Sequence, residues 1–163
     1  MIEGLRGVSD DVEKIVTIDG ETKSLKPEIV PEKIHLAFID GEHTDEAVMA
    51  DFRYCLRVLD TAGAIVFHDA QITYNGIANC IDHLKERGVE FHAYALPNIV
   101  FVVEIGDFPL HEDPAILRRL IDNHQSYLFS LQNNDEFRRF ANRFPFRSIR
   151  NLVARVRRRN VSA

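Results

Sequence analysis

The sequence predicts a mixed α/β domain: two parallel strands, a closing antiparallel hairpin, flanking helices and a helical C-terminal tail. Three observations predict it. The runs Leu36-Ala37-Phe38-Ile39 and Ala64-Ile65-Val66-Phe67 are short and wholly apolar, as strands buried on both faces are. An amphipathic helix pattern lies between them, and a helical crossover joins parallel neighbours, almost always in the right-handed sense. Each run leads into an acid, Asp40 after the first and Asp69 after the second. Both acids then fall at the carboxyl edge of the sheet, where open α/β sheets bind their ligands.

Three segments follow from the pattern, with boundaries at 1–33, 34–106 and 107–163. In the first, Ser9 is placed to cap a short helix through Val12 to Ile15, Asp10 and Asp11 complementing its dipole. Val16-Thr17-Ile18 reads as a small strand before the Asp19-Gly20 turn, and Pro27 and Pro31 mark a loop into the strand Ile34 to Ile39. Gly41-Glu42-His43-Thr44 is a turn whose threonine caps the next helix, with Asp45 and Glu46 in its first turn. Val48, Phe52, Cys55, Leu56 and Leu59 recur at helical spacing, and Gly63 is expected to stop that helix and open the second strand.

A further helix is expected from Asn75 or Gly76, with Ile77, Cys80, Ile81 and Leu84 inward and Gly88 as its stop. Phe91 to Leu96 and Ile99 to Ile105 flank Pro97-Asn98, a connection short enough for a hairpin. Asp113-Pro114 is a cap followed by a proline at the first helical position, and Leu117, Leu120, Ile121 and Leu128 give one apolar stripe. A last helical stretch is expected from Asp135, broken near Pro145 and resuming at Ile149, Leu152, Val153 and Val156.

A chain of 163 residues suits one core. Its formal charge of -5 and sequence pI of about 5.8 argue against a body built to bind nucleic acid, sequence-specifically or otherwise, since that needs a broad basic face. The charge is uneven. Arg138, Arg139, Arg143, Arg147, Arg150, Arg155, Arg157, Arg158 and Arg159 crowd the end of the chain, which suits peripheral contact with an anionic membrane, an acidic partner or nucleic-acid phosphates as well as a frayed, solvated helix. The two cysteines, Cys55 and Cys80, fall on apolar helix faces, so a disulfide framework is not expected and a reducing cytoplasm fits.

Parallel strands lie about 4.8 Å apart, so Asp40 and Asp69 can face one another across a gap that a hard cation fills. His68 joins them as a metal ligand only if the strand ends before it, since side chains alternate along a strand. His43, three residues past Asp40, is placed to take a proton from a bound substrate. Asp40 and His43 are thus the catalytic candidates, and Asp40, Asp69 and His68 the metal candidates. Acids and histidines at strand ends also cap helices and satisfy loop amides, so these residues alone leave both roles open. His35, His83, His92, His111 and His124 show no ligand spacing and read as surface or packing residues.

Phe38-Ile39-Asp40-Gly41-Glu42-His43-Thr44, Ala47, Asp51-Phe52, Gly63 to Asp69 and Asn75-Gly76-Ile77 together resemble the second half of a class I S-adenosylmethionine-dependent methyltransferase. The likeness is to the subfamily whose strands end in Ile-Asp-Gly-Asp/Glu-His and His-Asp. It extends over roughly residues 34 to 105, and Gly7-Val8-Ser9 is similar to an element that precedes this region. The resemblance implies a Rossmann-like sheet of seven strands ending in an antiparallel hairpin, S-adenosylmethionine over the strand ends, often Mg2+, and O-methyl transfer to a small hydroxylated molecule.

It also implies a donor-binding Glu/Asp-x-Gly-x-x-x-Gly loop and a ribose-binding acid, neither of which precedes Ile34. The chain therefore reads as a methyltransferase lacking its first half, with no residue assignable to the methyl donor. Two other classes stay open: a metal-dependent hydrolase using Asp40, His43, His68 and Asp69, and a non-catalytic half-domain that binds a partner. The strand Ile34 to Ile39 would be an uncovered edge, a hazard unless residues 1–33 or a second copy of the chain shield it.

Overall fold

The computed structural model describes residues 15–143 together with Pro145 and Ser148. The expected helix at Ser9 and the stretch from Ile149 to Val156, with most of the arginine tail, lie outside the described residues. Among them the elements are β1 (Ile34–Ile39), α1 (Asp45–Val58), β2 (Leu59–Phe67), α2 (Ala70–Glu86), β3 (Phe91–Leu96), β4 (Val100–Ile105), α3 (Pro114–Leu117) and α4 (His124–Ala141). The strands form one mixed sheet in the order β1-β2-β4-β3. β1 and β2 are parallel, whereas β4 is antiparallel to both β2 and β3. This is the α/β arrangement of a parallel pair and a closing hairpin.

Alternation along the strands divides the apolar residues between two faces. One face carries Ala37, Ile39, Ile65, Phe67, Ala93, Ala95, Phe101 and Val103 and packs on Val48 and Phe52 of α1, Ile77, Cys80, Ile81 and Leu84 of α2, and Leu128 of α4. The two crossover helices approach closely. A Cβ added at Gly76 would lie 2.9 Å from the Val48 Cβ. The other face, built on Ala64, Tyr94 and Val102, is covered by Phe108, Leu110, Ile116 and Leu120. Residues after β4 thus close the second side of the same sheet.

β1 is the edge strand among the described residues, and on its outward face Leu36 and Phe38 are exposed. The 3-10 turns Thr22–Ser24 and Pro27–Ile29 pack on α1. Thr22 donates a hydrogen bond to the Asp51 carboxylate, and Lys33 donates to the Arg57 carbonyl at 2.5 Å.

Four expectations are corrected. Val16-Thr17-Ile18 is not a strand, having no neighbouring strand to pair with among the described residues. Gly63 does not stop α1, which ends at Val58, and β2 begins four residues earlier than the glycine. The reason is a close approach within the strand: a Cβ at Gly63 would sit 2.7 Å from the His35 carbonyl oxygen, beside the irregularity between Ile34 and Leu36 in the β1–β2 register.

α2 starts at Ala70 rather than at Asn75 or Gly76. Its first amide donates to the Ile99 carbonyl at 2.9 Å, a tertiary partner that replaces a side-chain cap. The stripe from Leu117 to Leu128 belongs to two elements: α3 ends after one turn, Ile121 forms a bridge with Ala95, and α4 restarts under an Asn123 cap and runs through Asp135. Capping by Thr44 and Asp113 is as expected, with Ala47 and Ala115 amides donating to their side chains at 3.2 and 2.7 Å.

Both thiols are free, and burial pushes Cys55 up to about 11 and Cys80 up to about 12, so each stays a neutral, poorly nucleophilic thiol. His124 at the start of α4 has a buried Nε2 with no hydrogen-bond partner. Burial holds its imidazole below the ordinary value of 6.5, with Lys85 adding to the effect. Because the unfolded chain takes this proton first, the contribution of His124 to stability is whole above its unfolded value and is lost as pH falls through the lower folded value. Urea unfolding at a series of pH values is expected to show wild type losing stability relative to His124→Gln as pH drops from about 7.5 towards about 5, below the ordinary histidine range. A difference that does not change with pH would contradict this.

Candidate functional site

The register pairs Ile39 with Phe67, so β1 and β2 end side by side and deliver Asp40, His68 and Asp69 to one mouth. The parallel ladder continues one bond further, the His68 amide donating to the Ile39 carbonyl at 3.0 Å. β2 has ended at Phe67, which frees His68 and Asp69 from strict alternation. Asp69 takes a left-handed conformation (φ 52°), turning its carboxylate back towards the mouth as α2 begins. Thr73 secures this corner by donating to the Asp69 carbonyl at 3.0 Å.

His43 reaches the same place from the turn between β1 and α1. Its Nε2 lies 3.1 Å from an Asp69 carboxylate oxygen. His68 bridges the two acids, its Nδ1 lying 3.1 Å from Asp40 Oδ1 and 3.4 Å from Asp69 Oδ2. Asp40, His43 and Asp69 each offer a ligand atom within 4.8 Å of the others. Asp69 is the most enclosed of the four, with a side chain 23% exposed, whereas Asp40 is half exposed. The mouth is open to solvent, as a site that must admit a substrate is.

Backbone strain gathers here. The β3–β4 turn holds Asn98 and Ile99 both at φ 63°, and Ile99 is the residue whose carbonyl receives the first amide of α2. A β-branched residue in the left-handed region is costly, and such outliers cluster at functional sites. Away from that turn, a cavity of about 580 Å3 lies beside the loop from β1 to α1, lined by Gly20 to Lys23, by Gly41, Glu42 and Thr44, and by α1 as far as Asp51. None of Asp40, His43, His68 or Asp69 lines it.

The chemistry open to the mouth follows from its donors. Two carboxylates suit a hard divalent cation, and their exposure leaves room for the waters that magnesium keeps. An imidazole is a poor ligand for that ion, which leaves His43 available to move a proton. Of the other histidines, His35 donates from Nδ1 to the Ala62 carbonyl at 3.2 Å and stacks on Phe108, and His83 meets the Phe52 ring edge-on, both packing roles. His92 and His111 do not stay scattered. They converge on Glu104, on the sheet face away from α1 and α2.

Among described residues no helix is long and apolar enough to cross a membrane. Among curated proteins none matches the chain significantly. A family profile described as a methyltransferase domain matches residues 5–70, a span that begins upstream of β1 and ends just after Asp69. It contains all four side chains of the mouth. β1, α1 and β2 lie inside the matched span and the closing hairpin beyond it, so over residues 5–70 the chain is similar to a methyltransferase domain.

Proposed function

We propose that the chain carries out O-methyl transfer from S-adenosylmethionine to a small hydroxylated molecule, in the cytoplasm, with Asp40, His43, His68 and Asp69 handling the acceptor. The observation that supports this reading most is the meeting of two carboxylates and two imidazoles at adjacent strand ends within the family-matched span. The bound donor supplies an electrophilic methyl group on a sulfonium sulfur. Among described residues no glycine loop follows a strand ahead of β1, so no residue is assigned to holding it.

As the acceptor oxygen attacks, its hydroxyl proton must leave. Asp69 accepts from His43 Nε2–H at 3.1 Å, which fixes the tautomer and leaves Nδ1 free to take that proton. The same carboxylate then stabilises the imidazolium. His68 holds Asp40 and Asp69 together through one shared Nδ1 donor, an arrangement that offsets their mutual repulsion. Asp40 and Asp69 are the residues that would hold Mg2+, whose contribution is to polarise the acceptor oxygen.

Calorimetry with S-adenosylmethionine and with Mg2+ tests the reading. Micromolar binding of the donor is the expected result. Silence towards the donor with retained Mg2+ binding would favour hydrolysis at the same four residues, and silence towards both would leave a partner-binding module.

A further inference from the structure

We propose that His92, Glu104 and His111, with Asp122 at the rim, form a second metal site, one that takes a divalent ion of the zinc class and pins the segment after β4 to the sheet. Glu104 interrupts the apolar strand Val100–Ile105, and only 2% of it is exposed. A carboxylate so buried is costly unless it is both hydrogen-bonded and paired with positive charge, and a bound cation supplies that charge. Its surroundings divide the work. Oε1 accepts from the Tyr94 hydroxyl and the His111 amide, both at 2.7 Å, while Oε2 faces His111 Nδ1 at 2.6 Å.

His92 stands directly opposite Glu104 in the β3–β4 register, so its side chain emerges on the same face. The His92 and His111 rings meet edge-to-face with centroids 4.1 Å apart, and His92 Nε2 lies 2.5 Å from Asp122 Oδ1. One ligand atom from each of His92, Glu104 and His111 lies within 4.8 Å of the others. Two imidazoles and a carboxylate, with Asp122 or water in the fourth position, make a tetrahedral zinc donor set. The pair of imidazoles selects against magnesium, which separates this site chemically from the Asp40–Asp69 mouth. The outer partners are in place as well. Tyr94 and the His111 amide hold the carboxylate in orientation, the role that surrounding hydrogen bonds play at metal centres.

The site also ties together what the sheet alone does not. His111 lies in the 3-10 turn Leu110–Glu112, and Asp122 follows the Ile121–Ala95 bridge. Metal binding therefore clamps two stretches of the covering segment onto β3 and β4, and by mass action it raises thermal stability.

The experiment is Zn2+ and Co2+ titration of the full chain carrying Asp40→Asn and Asp69→Asn, which removes the carboxylates of the other mouth. One equivalent of Zn2+ is expected to raise the melting temperature, and Co2+ to give the visible absorption of a tetrahedral centre. Adding His92→Gln or Asp122→Asn, changes at partly or fully exposed positions, is expected to weaken binding, by at least about tenfold for His92→Gln. Absence of binding in the double variant, or affinity unaltered by His92→Gln, would overturn the site and leave Glu104–His111 a plain ion pair.

Discussion

Replacing Asp69 with asparagine is expected to lower methyl transfer by about 10²- to 10⁴-fold, the range for loss of acid–base function, while leaving the melting temperature nearly unchanged. The two effects separate because of the backbone. Asp69 sits at φ 52°, and asparagine tolerates the left-handed region almost as readily as glycine does, so the entry into α2 survives. The lost element is the charge that receives His43 Nε2 at 3.1 Å and His68 Nδ1 at 3.4 Å. Without it His43 is no longer held in one tautomer, and Asp40 remains as the only acid of the mouth. Asp69→Ala makes the contrasting control, since alanine has a Cβ but no polar group to hydrogen-bond locally, is strained at that φ and destabilises the helix start. Rates measured with labelled S-adenosylmethionine, alongside thermal melts, separate the two outcomes. An Asp69→Asn protein with full activity would remove Asp69 from the chemistry.

The parts of this molecule readable from sequence are those whose causes are local. The apolar runs before Asp40 and His68 gave β1 and the end of β2, and Thr44-Asp45-Glu46 gave the start of α1, because each depends on side chains within a few residues. The mouth was legible for the same reason: two parallel strand ends bring their acids together once the crossover is recognised. What escaped was set by distant partners. The start of α2 depends on the Ile99 carbonyl rather than on a capping side chain, and Gly63 serves a close backbone approach to His35 instead of a helix stop. His92, Glu104 and His111 come from two strands and a turn, with no spacing to connect them. The available signal was the solitary acid within Val102-Val103-Glu104-Ile105, since a strand that apolar rarely carries a charge without a partner.

Truncating Phe52 to alanine is expected to cost about 3–5 kcal/mol. Phe52 is wholly buried on α1, with its ring 6.0 Å from that of Phe67 on β2 and against the edge of His83 on α2. It therefore joins α1 to two other elements, and neither helix can collapse into the space without leaving the sheet or its neighbour. Against a typical domain stability of about 5–15 kcal/mol, such a loss removes between about a fifth and nearly all of it. The damage also reaches the mouth. α1 begins at the Thr44 cap, one residue after His43, so a shift of that helix moves the imidazole away from Asp69. Denaturant unfolding of Phe52→Ala and Phe52→Leu gives the measurement. Leucine keeps most of the buried volume and is expected to lose much less, and equal losses for the two would mean that packing at this position does not hold α1 to the sheet.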